Sequence, residues 1–239
     1  MVLPLYDDNP FKLPVKPIVT WLLILANILV FLVEAGSAVD GDIIASAFGV
    51  TPTALLGGVT PAPVLTLLTY MFVHADVPHI FGNMIFLFVF GDDVEEALGR
   101  VRFLLFYLLC GVIGALAFVA SAPTFTGPLI GASGAISGVV IAYAMWRPCA
   151  RVTVLVSIIP LRIKAFWVIG LFVLTQLWNL EATGKSDVAY WCHLGGILAG
   201  LALFPLMKRP GVRLFECIRM PRYPVGSAGV PLAGRGPEG

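Results

Sequence analysis

His79 and Asn83 stand at i and i+4 in one hydrophobic block of the chain, Ser133 and Ser137 at i and i+4 in a second, and His193 in a third. Residues spaced this way share a helical face. A serine hydroxyl is a poor nucleophile until a base takes its proton, which an imidazole within about 2.6–3.2 Å can do. Attack on a carbonyl then creates an oxyanion that needs preorganised donors. The sequence offers a group for each role. Ser133 is the candidate nucleophile and His193 the candidate base. The Asn83 amide, the His79 ring N–H and the Ser133 backbone N–H are the candidate oxyanion donors. Ser133 opens a predicted helix, where backbone N–H groups lack intrahelical partners and carry the positive end of the dipole. Gly131 and Gly134 flank it and leave room for a substrate backbone. Ser137 lies one turn deeper, away from water, and reads as a small packing residue. Asp187 precedes His193 but falls in an outer loop as a solvated charge, so the chemistry expected is that of a Ser–His dyad without a third acidic member.

These residues must be positioned by helices built for lipid. The chain is 59% hydrophobic and 12% charged, against about 25% charged in soluble domains. The apolar residues fall in blocks approaching the length of membrane spans. Six are expected, at 18–36, 79–97, 101–121, 132–147, 163–180 and 190–207. The fold expected is an all-α, six-helix membrane bundle over 18–208, with an N-terminal segment 1–17 and a Pro/Gly-rich tail 209–239 read as disordered. The segment 37–78 is too mixed for a span and too apolar for an ordinary loop. It is read as partly interfacial, with Leu55–Leu56 and Leu65–Leu68 against lipid.

Basic residues alternate with the spans. Lys12 and Lys16 precede the first, Arg100 and Arg102 separate the second and third, and Arg147, Arg151, Arg162 and Lys164 separate the fourth and fifth. Lys208, Arg209, Arg213, Arg219 and Arg222 follow the sixth, and only Lys185 falls on the other side. The positive-inside rule then puts both termini in the cytoplasm. Measured from that boundary at helical rise, Ser133 lies about 21 Å up, His193 about 22 Å, His79 about 24 Å and Asn83 about 18 Å. Three helices therefore bring polar groups to one layer of a core about 30 Å thick. Gly134 and Gly138 on the fourth span, and Gly196 and Gly200 on the sixth, are small-residue faces that let helices approach closely. The fifth span adds Gln176 and Asn179 near its outer end.

Other classes are disfavoured. The net charge of +1 says nothing about nucleic acid, but with no basic cluster and no known reader motif a nucleic-acid reader is set aside. Cys110, Cys149, Cys192 and Cys217 form no Cys-x-x-Cys pair, so neither a disulfide framework nor a thiolate zinc site is expected. The first apolar run is long for a signal peptide and follows 17 residues rich in Pro and Asp, so it reads as a retained span. No internal repeat supports a transporter of two inverted halves.

"GASG" at 131–134, "HADVPHIFGN" at 74–83 and "HLGG" at 193–196 together resemble the rhomboid family of intramembrane serine proteases, in order, spacing and topology, over about 190 residues. The opening "PLYDDNP" is similar to bacterial members, and Glu95 matches a structural glutamate of the second helix. The resemblance implies a six-helix bundle in an inner cell membrane whose short, central fourth helix is met by a loop dipping into the membrane. It implies cleavage of transmembrane protein substrates near the outer side, with no metal or cofactor and a site opening to the extracytoplasmic side. It assigns Ser133 as nucleophile, His193 as base, His79, Asn83 and the Ser133 N–H as the oxyanion site, and His74 a supporting role. Two positions depart from the family pattern. Leu65–Thr66 stand where many members have Trp-Arg, which removes the usual loop anchor. Ser137 stands where some members stack an aromatic ring on the histidine, so His193 must be oriented otherwise, with packing against the second span as the expected means.

Three rivals remain on the sequence. His74, His79 and His193 could serve a zinc ion, although no His-Glu-x-x-His accompanies them. A catalytically silent rhomboid-like protein that binds membrane clients would have no need of Ser133, His193, Asn83 and His79 together. A channel would need an ionisable path below the polar layer, where the spans are almost wholly apolar.

Overall fold

The computed structural model describes residues 2–8, 16–58, 61–180 and 189–217. In chain order the elements are β1 (Val2–Asp7), α1 (Ile18–Gly36), α2 (Gly41–Phe48), α3 (Pro52–Leu56), α4 (Pro61–Thr69), a 3₁₀ turn (Tyr70–Phe72), α5 (Val77–Leu98), α6 (Arg100–Ser121), α7 (Ser133–Trp146), β2 (Arg151–Val156), β3 (Ile159–Lys164), α8 (Ala165–Trp178) and α9 (Tyr190–Met207). Helices occupy all six apolar blocks, each within two residues of its expected bounds. By length and composition α1, α5, α6 and α9 can cross a membrane, while α7 and α8 have 14 residues each. The segment 37–78 folds into α2, α3, α4 and the 3₁₀ turn, and it exposes Leu56, Leu65 and Leu68.

α7 is the centre of the bundle, in contact with α5, α6, α8 and α9. Nine of the ten residues from Gly134 to Tyr143 are buried, including Ala135, Val139, Ala142 and Tyr143. A helix apolar all round is one enclosed by other helices.

One end of the bundle gathers the basic residues. Arg100 Nη2 donates to Lys16 O at 3.5 Å and Arg102 Nη1 to Met207 O at 3.3 Å. Arg209 N–H donates to Ala97 O at 2.9 Å, and Arg147 Nε lies 3.7 Å from Asp93 Oδ1. Lys12, Lys185, Asp187, Arg219 and Arg222 lie outside the described residues.

Glu95 organises the same end. α1 has no side-chain cap of its own. Instead the Val19 and Thr20 N–H groups donate to the Glu95 carboxylate at 3.0 and 2.7 Å, and the Thr20 hydroxyl donates at 2.8 Å. A carboxylate at a helix N-terminus satisfies orphan donors and meets the positive end of the dipole. Glu95→Ala leaves these donors unserved in a buried place. It is expected to destabilise the protein by about 3 kcal/mol, with Glu95→Gln recovering part of the loss, as read by thermal denaturation in detergent. An unchanged melting temperature in the Ala variant would refute the capping role.

The structure corrects three expectations. The chain is mostly helical but not all-α: β1, β2 and β3 form a three-stranded antiparallel sheet in that order. Leu3 pairs with Leu155 and Asp7 with Val152 across β1–β2, and Arg151 pairs with Lys164 across the β2–β3 hairpin. The segment "RVTVLV" is rich in β-branched residues and buries Val152, Thr153 and Val154 in succession, which suits a strand. Arg151, together with Arg147, Arg162 and Lys164, made it read as an interspan loop. β1 carries Asp7, which accepts from the Tyr143 hydroxyl of α7 at 2.7 Å, and Asp8 pairs with Arg162. Part of the 1–17 segment is therefore bound to the bundle.

The tail differs in the same way. Residues 209–217 return to the bundle, where Phe215 N–H donates to Met145 O at 2.6 Å. Residues 218–239 lie outside the described residues. Cys217 forms a disulfide with Cys149, with Cα atoms 5.1 Å apart. The two cysteines are 68 residues apart in sequence and form no spacing motif, so only the fold brings them together. Cys110 and Cys192 are buried and free.

Candidate active site

The segment before α7 is fixed by backbone pairing. Val50 and Leu129 exchange N–H···O bonds at 3.0 and 2.8 Å, and Gly131 N–H donates to Tyr70 O at 2.9 Å. Gly131 has φ +108°, a conformation that only glycine adopts readily. It turns the chain so that α7 begins at Ser133, with no side-chain cap on the first turn.

α9 meets α7 through glycines. A Cβ on Gly196 would collide with the Gly134 carbonyl oxygen, and one on Gly200 would lie 2.7 Å from the Gly138 carbonyl oxygen. This contact sets the opening residue of α7 beside the first turn of α9. Ser133 Oγ and His193 Nε2 are 2.7 Å apart. Ser137 has a different role, since its hydroxyl donates to the Ser133 carbonyl at 2.8 Å within its own helix.

α5 supplies the other wall. Asp76 caps it by accepting the His79 N–H at 2.7 Å. A Cβ at Gly131 would lie 2.6 Å from His79 Nε2 and 3.6 Å from Asn83 Nδ2. Both side chains therefore face the backbone two residues ahead of Ser133, and glycine is needed there for space as well as for φ. Asn83 is buried and its Nδ2 has no hydrogen-bond partner among the described residues. Buried amide donors are almost always paired, so this one stands ready for an acceptor. His74 is buried against His79, with ring centroids 5.1 Å apart in an edge arrangement. Burial, followed by the neighbouring His79, pushes its imidazole down to about 4, so it is neutral near pH 7. The described residues contain no group of three or more His, Cys, Asp or Glu arranged to hold a metal ion.

The structure thus brings together Ser133 with His193, and His79, Asn83 and Gly131 with the backbone leading into Ser133. Sequence reasoning gave Gln176 no role, yet its Oε1 lies 2.7 Å from His193 Nδ1. The signal was available: a polar residue in an apolar span is costly unless it has a partner. The expectation placed the support of His193 on the second span; the hydrogen bond at its Nδ1 comes from α8.

The family profile of the Rhomboid domain matches residues 61–210. The chain belongs to the rhomboid family. The match covers more than half of the chain and contains Ser133, His193, His79 and Asn83. Among similar proteins, the Rhomboid protease GluP of Bacillus subtilis is 28% identical over 217 residues, 88% of this chain and 40% of that protein. The Rhomboid-like protease 3 of Toxoplasma gondii is 29% identical over 157 residues, 63% of this chain and 57% of that protein. The mitochondrial RHOMBOID-like protein 12 of Arabidopsis thaliana is 30% identical over 149 residues, 55% of this chain and 43% of that protein. This rhomboid therefore spans roughly half the length of these relatives. With four helices able to cross a bilayer, it is a multi-pass membrane protein.

Proposed function

We propose that this rhomboid is an intramembrane serine endopeptidase that cleaves transmembrane proteins through a Ser133–His193 dyad. The observation that carries the reading is the 2.7 Å contact between Ser133 Oγ and His193 Nε2. The unpartnered Asn83 amide close by supports it. His193 Nε2 takes the hydroxyl proton as Oγ attacks the scissile carbonyl carbon. The oxyanion accepts hydrogen bonds from Asn83 Nδ2, the His79 ring N–H and the Ser133 N–H. These donors are held in place before reaction and lie in apolar surroundings, where such bonds are worth most. The imidazolium then protonates the leaving amine. Water, deprotonated by the same nitrogen, hydrolyses the acyl-enzyme.

We read all six apolar helices as spans, with α7 and α8 short and supported by the segments beside them. The basic residues mark the cytoplasmic end. Ser133, His193 and His79 begin α7, α9 and α5 at the opposite ends from Arg147, Lys208 and Arg100, so the site opens toward the extracytoplasmic side of a cell membrane. The bilayer is the medium of the reaction and supplies the substrate helices.

Labelling with a fluorophosphonate, followed by identification of the modified residue, tests the reading. Modification at Ser133 is expected. Absence of labelling in folded protein favours the alternative, a silent membrane-client-binding protein. Asn83→Ala is expected to lower kcat about 10²–10³-fold with little change in KM, as loss of one oxyanion donor does. Reporter-cleavage kinetics check it, and a pure KM effect would remove Asn83 from the oxyanion site.

A further inference from the structure

α8 is the most exposed of the long helices around α7. Phe166, Trp167, Leu171, Leu174 and Trp178 face outward, and only Ala165, Ile169 and Gln176 are buried. A buried amide on such a helix is unfavourable unless each of its polar atoms is satisfied. Those of Gln176 are. Its Nε2 donates to Phe172 O and to Thr175 Oγ1, each at 3.2 Å. The Thr175 hydroxyl in turn donates to Phe172 O at 2.7 Å. A backbone carbonyl can only accept, so the amide nitrogen belongs on that side and Oε1 faces His193 Nδ1 at 2.7 Å. An amide oxygen also only accepts, so Nδ1 must carry the proton. Nε2 is then the free acceptor opposite Ser133.

We propose that Gln176 is a positioning residue that fixes the tautomer and ring plane of His193. It does the orienting work of an acidic third member without bringing a charge into the membrane. The proposal rests on the dyad reading. The partner on the other ring nitrogen decides which nitrogen of a histidine is available as base, and loss of that control is costly where the wrong tautomer results. Because Gln176 is neutral, it gives the imidazolium less support than a carboxylate would, and a variant can measure this difference.

The test uses the full chain in detergent or proteoliposomes with a transmembrane reporter. Gln176→Leu is expected to lower kcat about 10–100-fold with KM within about twofold. Gln176→Glu keeps an acceptor oxygen at Nδ1. It is expected to restore most of the rate and to move the acid limb of the pH–rate profile upward, because a carboxylate stabilises the imidazolium. Wild-type kcat in the Leu variant overturns the proposal. So does an equal loss in both variants with the acid limb unmoved, which would mark Gln176 as a packing residue only. Fluorophosphonate labelling separates this from failure of the dyad reading. If wild-type Ser133 is not modified, the protease assignment itself fails. If it is modified and the Leu variant reacts at the same rate, only the role of Gln176 fails.

Discussion

Ser133→Ala and His193→Ala are each expected to reduce cleavage of a transmembrane reporter by at least about 10⁴-fold, equivalent to about 5.5 kcal/mol of transition-state stabilisation. The two residues act as a unit, so the double variant is expected to lose no more than either single one. Their effects on stability should differ. Ser133→Ala removes one hydroxyl, whose partner in the structure is His193 Nε2. His193→Ala also leaves Gln176 Oε1 without the ring nitrogen 2.7 Å away, which costs about 1–3 kcal/mol in a buried place. Rates should therefore be compared at equal folded fraction. Ser137→Ala is the control. Its hydroxyl is spent on the Ser133 carbonyl, a back-bond that contributes little to a helix, so cleavage should survive. Retained cleavage in Ser133→Ala with loss in Ser137→Ala would show that the nucleophile had been misassigned.

The helices and their polar layer were legible because each rests on local signals. Apolar run length set the six blocks, and the i, i+4 spacing of His79 with Asn83 placed both on one face. The glycine pairs announced a close contact between α7 and α9, and the structure has it at Gly134–Gly196 and Gly138–Gly200. What escaped depends on pairing across long distances. β1 meets β2 about 150 residues later, as Val2 against Val156, and nothing in "VLPLYD" names its partner. Arg151 and Arg162, read as interspan charges, lie in β2 and β3, so charge masked the strand pattern. The Cys149–Cys217 disulfide has the same character. Gln176 was visible as a polar residue in a span, but its direction is a property of the α8–α9 arrangement and not of spacing.

The α7–α9 contact is where a single methyl group should do the most damage. A Cβ on Gly196 runs into the Gly134 carbonyl oxygen. The obstacle is backbone, so rotation of a side chain cannot relieve it. The adjacent glycines close other routes, since a Cβ on Gly195 would lie 2.5 Å from Ala117 Cβ and 3.0 Å from Gly114 Cα on α6. α9 is thus wedged between α6 and α7 and can accept Gly196→Ala only by moving away. Overpacking of this kind costs about 1–3 kcal/mol. The larger effect falls on chemistry. His193 lies one helical turn from Gly196 on α9, and Ser133 is next to Gly134 on α7. Separating the helices by about 1 Å breaks the nucleophile–base contact and should lower cleavage about 100-fold. Gly170→Ala on α8 is the matched control, because nothing lies within 4 Å of a Cβ there. It should leave cleavage unchanged and raise helix stability by about 0.5–1 kcal/mol. Thermal denaturation and reporter cleavage on the two variants read both effects together. If Gly196→Ala behaves like Gly170→Ala, close backbone approach is not what holds Ser133 against His193.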